Sequence, residues 1–283
     1  MTVLVLGGRG KTSSRLSSLL SNSGFPFVQA SRSQSEGGPH RQCAFDWLDE
    51  TTWANPFTAV YMVAPPPPPP HQLTDMFPPM KAFIDFARTT GVRRIVLLSV
   101  SMLPRGGPSM GLVHNYLAGL EPEGVEWAVL RPSWFMENFS ELQHRGSMAA
   151  ENMIYSAAQD GKIPFVSAED IAAVAFRALT DPVPHNTDHV ILGPELLTYD
   201  DVAQILSTLL GKTIVHEKLS ESDLTNRFVI QGTPLGYAKM LSAHDTAISQ
   251  GAEDRLNTVI ADITGREPKR FVDFARENKS AWL

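Results

Sequence analysis

The amino-terminal stretch of the chain joins a short apolar run to a glycine-rich loop and then to a helical pattern, in the order VLVL, GGRGKTSS, RLSSLL. The run Val3 to Leu6 is apolar throughout and ends at glycine, which predicts a buried strand. Leu16, Leu19 and Leu20 follow at helical spacing, and Gly24 is a typical helix stop. A strand, a glycine turn and a helix in this order predict the first unit of a dinucleotide-binding fold.

Apolar strand patterns continue to alternate with helical patterns as far as residue 138. Further strands are predicted at 25–31, 41–47, 57–64, 93–101 and 126–135, and helices at 76–91 and 111–121. Because the strand cores are almost continuously apolar, we expect a parallel sheet with helices on both faces. The predicted fold class is therefore α/β, a Rossmann-type doubly wound parallel sheet.

The pattern of alternating strands and helices changes after Asn138, and the second half of the sequence predicts a smaller lobe. Ser167 with Asp170 is the pattern of a capping box and predicts the start of a helix, and a strand, a turn and a second helix follow. Another strand precedes a tail that is helical and charged from Glu221 onward. We expect a dinucleotide-binding domain at 1–138 and a partly discontinuous substrate-binding lobe at 139–283.

Charge and cysteine content narrow the partners and the compartment. The 283-residue chain has a net charge of −6 and a pI of about 5.7, which disfavours binding to nucleic acid or to an anionic membrane surface. Cys43 is the one cysteine, so no internal disulfide forms. The first apolar run is too short for a signal peptide, and no run reaches the ~18 residues of a membrane helix. We expect a soluble cytoplasmic protein with a small-molecule substrate.

The glycine loop predicts a site for the pyrophosphate of a dinucleotide. Glycines at such a turn let backbone N–H groups approach phosphate, and a helix amino terminus favours negative charge. The pattern is looser than G-x-G-x-x-G, since Ser13 stands where the third glycine would be. The spacing around Gly10-Lys11-Thr12 does not fit a P-loop. The loop residues assigned to the cofactor are Gly7, Gly8, Gly10, Lys11 and Thr12.

The end of the second strand indicates which cofactor binds. An NAD site usually carries an acidic residue there, whereas this chain reads QASRSQS. Arg32, flanked by Ser31 and Ser33, suits the 2′-phosphate of NADPH through charge-assisted hydrogen bonds. Further cofactor contacts are predicted at the ends of other strands, at Asp46, Pro65, Ser99 and Pro132.

The chain lacks the Tyr-x-x-x-Lys pair that short-chain dehydrogenases usually use to move a proton. Tyr116 lies on the helix after the fifth strand, but position 120 is leucine. A carbonyl reductase needs a proton for its developing alkoxide. An iminium reductase does not, because hydride meets a cationic carbon and leaves a neutral amine. The missing pair therefore points away from ketone reduction or toward a different acid.

Candidate chemical groups follow the carboxyl ends of the predicted strands, where open α/β sheets bind ligands. Ser101, His114 and Glu137 are the candidate catalytic residues. An aromatic and polar set is assigned to the substrate, namely Tyr116, Trp134, Phe135, Met136, Asn138 and Tyr155. Metal binding is not expected, because there is no cysteine pair and the eight histidines are scattered apart from His185 and His189, which are four positions apart.

Six prolines, Pro65 to Pro70, directly follow the predicted strand at 57–64. Proline cannot extend a strand because it lacks the ladder N–H, and a run of six forms a stiff extended helix. We interpret the run as a rigid lip of the active site, with Pro65 against the cofactor, rather than as a linker between domains.

Several motifs resemble one fungal family over the whole chain. The stretches TVLVLGGRGKTSSRL, FDWLDE, LRPSWFMENF and GKIPFVSAEDIA are similar to the festuclavine synthase and agroclavine dehydrogenase proteins of ergot alkaloid biosynthesis, which are NmrA-like atypical short-chain dehydrogenases. The resemblance implies NADPH-dependent reduction of a cyclic iminium formed from an alkaloid aldehyde. Two features depart from the family pattern, namely His114-Asn-Tyr116-Leu-Ala118 on one helix and the length of the proline run.

Two alternatives remain open at this point. A non-redox enzyme on the same scaffold would open an epoxide or drive a cyclisation, with His114 or Glu137 as the proton donor. A dinucleotide-binding regulator would use the proline run to dock a partner domain. Product mass separates the non-redox enzyme from the reductase, since a reductase adds two hydrogens to its substrate and an isomerase adds none.

Overall fold

The computed structural model describes residues 1–32, 40–53, 57–64 and 73–283. The strands are β1 (Val3–Leu6), β2 (Phe27–Ser31), β3 (Gln42–Ala44), β4 (Ala59–Met62), β5 (Arg94–Leu98), β6 (Glu126–Pro132), β7 (Met153–Ser156), β8 (Thr187–Ile191) and β9 (Val215–Lys218). The helices are α1 (Lys11–Asn22), α2 (Phe77–Thr89), α3 (Met110–Gly119), α4 (Glu137–Ser140), α5 (Arg145–Ala150), α6 (Ala168–Thr180), α7 (Tyr199–Leu210), α8 (Glu221–Ile230), α9 (Leu235–Ser249), α10 (Val259–Thr264) and α11 (Phe271–Glu277). Short 3₁₀ segments lie at Glu50–Thr52, Leu73–Met76, Glu121–Glu123 and Lys279–Trp282.

The main sheet has the strand order β3-β2-β1-β4-β5-β6-β8 among the described residues. The pairs from β3 through β6 are parallel, and β1 lies between β2 and β4. Strands β2 and β3 are added on one side of β1, and β4 to β6 are added on its other side. The loops after β1 and β4 therefore run in opposite directions, which makes this position a topological switch point. The predicted Rossmann-type parallel sheet is confirmed.

Both faces of the central strands are buried, as the continuous apolar runs predict. Leu4, Leu6 and Met62 point to the face covered by α2 and α3, where Met80 and Phe83 are also buried. The alternate residues on β1 and β4 are equally buried, since a strand presents successive side chains to opposite faces. This burial of both faces fixes the strand register and so fixes the positions of the loops that follow.

The described chain forms two compact units. Unit 1 comprises 1–132 and 169–190, and unit 2 comprises 133–168 and 191–283. Unit 1 holds the main sheet, because β8 returns to it after the chain has left at residue 132. The two functional domains expected at 1–138 and 139–283 stay a prediction.

Unit 2 is built on a small parallel pair and a group of helices. Strand β7 pairs with β9 from Met153 to Ser156, a strand that the sequence pattern does not indicate. Helix α7 begins with a capping box in which Thr198 and Asp201 exchange hydrogen bonds. Buried rings of unit 2 meet edge to face, Phe139 with Phe165, Phe139 with Phe271, and Phe165 with Tyr199, which stabilises the aromatic core beyond simple burial.

Two absences hold for the described residues only. None of the helices there combines the length and the apolar character that crossing a bilayer requires. No group of three or more histidine, cysteine, aspartate or glutamate side chains there is arranged to hold a metal ion.

Candidate active site

The glycine loop after β1 has the close contacts that only glycine permits. Gly7 has a φ of +64°, a region that other residues rarely adopt. A Cβ on Gly8 would lie 2.9 Å from the Cβ of Gln29 on β2, and one on Gly10 would lie 3.0 Å from the carbonyl oxygen of Gly7. The backbone therefore passes close to β2 and turns tightly before α1, and three of its residues, Gly7, Gly8 and Gly10, carry no side chain.

The first turn of α1 directs its hydroxyl groups inward. Ser13 Oγ donates to the carbonyl oxygen of Leu6 at 2.8 Å, and Thr12 Oγ1 accepts from the hydroxyl of Tyr61 at 3.0 Å. The N-cap residue Gly10 supplies no capping side chain, and the first turn carries no acidic residue. Ser13 thus replaces the third glycine of the motif by filling the helix–strand gap and satisfying a strand carbonyl. This arrangement fits the binding of a pyrophosphate at the helix amino terminus.

The end of β2 has the composition that the sequence predicts. Ser31 is the last residue of β2, and the exposed Arg32 follows it. Ser33 lies outside the described residues, as do Pro65 and the rest of the proline run to Pro70. The assignments of Ser31, Arg32, Ser33 and Pro65 to the cofactor stay predictions.

Asp46 organises the turn that follows β3. Its Oδ1 accepts the backbone N–H of Leu48 at 2.9 Å, and its carbonyl oxygen accepts from the indole Nε1 of Trp53 at 3.0 Å. These bonds show a structural role for Asp46. Its predicted contact with the cofactor stays a prediction, as do those of Gly7, Gly8, Gly10, Lys11 and Thr12.

The residues at the ends of β5 and β6 are held together by backbone pairing. Ser99 N donates to Leu130 O at 2.7 Å, and Ser101 N donates to Pro132 O at 2.9 Å, so pairing continues beyond the strands. The guanidinium of Arg131 donates to Ser101 O at 2.8 Å. The two strand ends therefore form one rigid edge that presents Ser99, Ser101 and Pro132 at the carboxyl side of the sheet.

His114 is buried on α3, with its ring centroid 5.7 Å from that of Trp127. Burial is the main cause that lowers the pKa of His114 below its usual value, and Arg131 and Arg105 lower it further while Asp188 opposes them. A neutral imidazole is therefore expected at pH 7, which makes His114 a weak proton donor. Its catalytic role stays a prediction.

Tyr116 lies on α3 and meets a lysine that the local sequence does not reveal. Its hydroxyl donates to a carboxylate oxygen of Asp85 on α2, and Lys81 donates to the other oxygen at 2.7 Å. The ammonium of Lys81 also lies 4.7 Å from the centroid of the Tyr116 ring. The phenol is thus engaged within unit 1, and its predicted contact with substrate stays a prediction.

The segment after β6 belongs to unit 2 and is held firmly in place. Glu137 is buried, and its Oε2 accepts the backbone N–H of Ala168, the first residue of α6, at 2.9 Å. Met136 N donates to Val166 O at 2.9 Å, and His144 N donates to Asn138 O at 3.1 Å. Glu137 therefore acts at the amino end of a helix, where a carboxylate is favourable, and its predicted catalytic role stays a prediction.

The predicted aromatic residues of unit 2 are partly exposed. The indole of Trp134 meets the ring of His244 edge-on at 6.3 Å, and its buried Nε1 has no hydrogen-bond partner in the described part of the chain. Tyr155 donates to Glu151 at 2.7 Å, and the guanidinium of Arg227 lies 3.5 Å from its ring centroid. The assignment of Trp134, Phe135, Met136, Asn138 and Tyr155 to the substrate stays a prediction.

Comparison with known proteins identifies the group to which this chain belongs. A model of the NmrA-like family matches residues 119–263. Agroclavine dehydrogenase of Claviceps fusiformis is 48% identical over 297 residues, covering 100% of this chain and 99% of the relative. The chain belongs to the NmrA-like family. Festuclavine synthase II of Penicillium roqueforti is 46% identical and is matched over 100% of both chains.

A solved structure has the same fold as this chain. Citrobacter triphenylmethane reductase complexed with NADP(H) superimposes with a TM-score of 0.79 at 19% identity, covering 99% of each chain. The predicted fold and the predicted resemblance to the festuclavine synthase and agroclavine dehydrogenase proteins are therefore confirmed. This NmrA-like protein is an oxidoreductase, as the sequence predicts.

Sequence reasoning missed a hydrogen-bonded chain within unit 2 of this NmrA-like protein. Ser156 Oγ lies 2.8 Å from His216 Nε2, and His216 Nδ1 lies 3.1 Å from Asp200 Oδ1. The order matches the Ser–His–Asp arrangement of hydrolases. However, Ser156 is 0% exposed, and its hydroxyl also accepts from Ala158 N at 3.3 Å. We interpret the chain as a structural tie between β7, β9 and α7.

A second missed group is Asp245 on α9, which is 5% exposed. Its Oδ2 accepts the backbone N–H of Ala157 at 3.0 Å across 88 positions of sequence. The available sequence signal is its helical spacing from Ala238 and Ser242, both of which are buried. Such spacing predicts that Asp245 faces inward but does not reveal its partner.

Proposed function

We propose that this protein is an NADPH-dependent reductase of a cyclic iminium in a clavine-type alkaloid pathway. The observation that carries the proposal is the identity of 48% and 46% to agroclavine dehydrogenase and festuclavine synthase II over the whole chain. Both matches run from end to end of this chain, so they support the same kind of enzyme over its whole length. The relatives give the non-redox alternative no support.

The glycine loop supports the choice of a dinucleotide. The close contacts of Gly8 and Gly10 and the uncapped start of α1 leave room for a pyrophosphate, which Gly7 to Thr12 would hold. The exposed Arg32 and the absence of an acid in QASRSQS support NADPH over NADH. Ser99, Ser101 and Pro132 would border the nicotinamide at the carboxyl edge of the sheet.

The environment of Tyr116 supports an iminium over a ketone as the substrate. Bound NADPH would supply a hydride that adds to the iminium carbon, while the electron pair of the C=N bond passes to nitrogen. The amine that forms is neutral, so no proton donor is required. The hydroxyl of Tyr116 is bonded to Asp85, and His114 is neutral at pH 7, so neither is poised as an acid.

The test is to incubate the full chain with a cyclic iminium made from a clavine-type aldehyde, with NADPH, with NADH and with neither. We expect consumption of NADPH and an amine whose protonated ion is heavier than the iminium ion by two hydrogens, one from the hydride and one from protonation in solution, with slower turnover on NADH. A product of unchanged mass formed without nicotinamide would overturn the proposal and favour an isomerase. Stoichiometry of one NADPH oxidised per product completes the evidence.

A further inference from the structure

Helix α9 of unit 2 buries polar side chains that have few protein partners. Ser242 is 0% exposed, and its Oγ has no hydrogen-bond partner in the described part of the chain. Asp245 follows three positions later, so both side chains lie on one face of the helix. Buried polar groups are usually hydrogen-bonded, and each exception calls for an explanation.

Asp245 lacks the cation that a buried carboxylate normally has. Its one hydrogen bond among the described residues is to the N–H of Ala157, and none of the lysines, arginines or histidines placed there forms an ion pair with it. Burial raises the pKa of Asp245 to about 7, and the bond to Ala157 opposes that shift. A carboxylate in such a place is costly unless a positive charge compensates it.

The titratable groups nearest to Asp245 do not provide that charge. His244 is its neighbour on α9, and burial lowers the pKa of His244, so the ring is neutral at pH 7. Tyr199 on α7 is fully buried, and both burial and the charge of Asp245 raise its pKa. On α8, Glu221 accepts a hydrogen bond from Thr246, the residue after Asp245, and carries the same sign as Asp245. The one cation of α8, Arg227, pairs with Glu151.

The hydrogen bond to the N–H of Ala157 does not by itself explain why position 245 carries a carboxylate. A neutral asparagine would accept the same N–H bond, worth about 1 kcal/mol, without the cost of burying a charge. The partly exposed indole of Trp134 contacts α9, because its ring meets the edge of His244, the residue before Asp245. A π face of this kind attracts cations, so the residues around Asp245 favour a positively charged ligand.

We propose that Asp245 is the counter-ion for the cationic nitrogen of the substrate, with the indole of Trp134 as the aromatic side of the same cation site in unit 2. This inference rests on the proposed function, because an iminium is the cation in question. An iminium bound beside Asp245 keeps the carboxylate ionised, and the attraction ends once hydride addition makes the nitrogen neutral. Loss of this attraction favours release of the amine product.

The test measures binding of N-methyl dihydroisoquinolinium, an iminium probe, and of its uncharged all-carbon analogue to the full chain with NADP⁺, which cannot donate hydride. For Asp245→Asn at pH 8 we expect the Kd of the cation to rise at least about tenfold, with the Kd of the neutral analogue unchanged. Asp254→Asn, which changes an exposed aspartate of the same unit, should leave both Kd values unchanged.

The wild-type protein supplies a readout that does not depend on the variant folding. Its Kd for the cation should rise about tenfold from pH 8 to pH 6, because Asp245 becomes protonated, while the Kd of Asp245→Asn stays flat. Isotope-edited carboxyl spectra should show the pKa of Asp245 falling when the probe binds. A pKa that does not move, or no binding of the probe to the wild type, would overturn the inference.

Failure of the inference and failure of the proposed function are distinguishable. If the wild type reduces the iminium with NADPH but Asp245→Asn binds the cation equally well, the function stands and the cation site is wrong. If the cation binds through Asp245 but no hydride transfer occurs with NADPH, the cation site stands and the reductase proposal is wrong.

Discussion

The hydroxyl of Tyr116 on α3 donates a hydrogen bond to the carboxylate of Asp85 on α2. Lys81, one turn earlier on α2, donates to the same carboxylate and lies over the tyrosine ring. Tyrosine and lysine therefore meet in space although they are not four residues apart in sequence. Burial, and after it Asp85, raise the pKa of Tyr116 and outweigh the lowering effect of Lys81, so the phenol is not activated as an acid.

We predict that Tyr116→Phe reduces stability rather than catalysis. The variant loses one hydrogen bond to a carboxylate, which is worth about 1.5–3 kcal/mol of unfolding free energy. Turnover of the iminium should stay within about threefold of the wild type, because no proton is drawn from the phenol. Urea unfolding and steady-state kinetics check the two parts.

A double-mutant cycle with Asp85→Asn provides the control for this prediction. The two substitutions break the same contact, so their effects on stability should be less than additive. A hundredfold loss of kcat in Tyr116→Phe with normal stability would instead support a catalytic phenol.

We predict that Gly8→Ala weakens cofactor binding. The new Cβ would lie 2.9 Å from the Cβ of Gln29, so the loop or β2 must shift, at a cost of about 1–3 kcal/mol. We expect the Kd for NADPH, measured by fluorescence titration, to rise about fivefold to a hundredfold. The matched control is Gly146→Ala on α5, where nothing lies within 4 Å of the added Cβ. Since alanine is the better helix former, the control should be slightly more stable and bind NADPH normally.

The contrast between the glycine loop and Asp245 shows what can be inferred from sequence alone. The loop was predictable because β1, the turn and α1 are adjacent in the chain and each has its own local pattern. The hydrogen bond from Ala157 to Asp245 spans 88 positions of sequence, and the one between Ser156 and His216 spans 60. A local sequence pattern therefore predicts neither bond. Likewise, a search for lysine four residues after Tyr116 misses Lys81, which arrives on a different helix. Local chemistry was predictable, and the tertiary partners were not.

We predict that Arg32→Gln changes the choice of cofactor. Arg32 is exposed at the end of β2, so its loss should not affect folding. A charge-assisted bond to the 2′-phosphate is worth about 1.5–3 kcal/mol, so the Kd for NADPH should rise roughly tenfold to a hundredfold while that for NADH stays within twofold. Arg41→Gln, which alters an exposed arginine before β3 at the amino edge of the sheet, is the control. Equal weakening of both cofactors would mean that Arg32 does not read the 2′-phosphate.

We predict that His144 makes the protein less stable in acid. The imidazole stacks on Phe139 at 4.8 Å, and its buried Nε2 has no hydrogen-bond partner in the described part of the chain. Burial, with a smaller effect of His216, lowers the pKa of His144 from 6.5 to about 3. Between these values the unfolded chain binds a proton that the folded chain does not, so stability falls as pH falls below 6.5 and is unaffected above it.

His144→Phe should remove this part of the acid sensitivity while keeping the stack on Phe139. One proton corresponds to about 1.4 kcal/mol per pH unit, so between pH 6.5 and pH 5 the variant should lose about 2 kcal/mol less than the wild type. Urea unfolding at pH 7.5, 6 and 5 measures the difference in slope. Because other buried histidines, such as His216, also have lowered pKa values, the variant keeps a residual slope. Parallel stability profiles for the two proteins would show that His144 is protonated, or solvated, in the folded state.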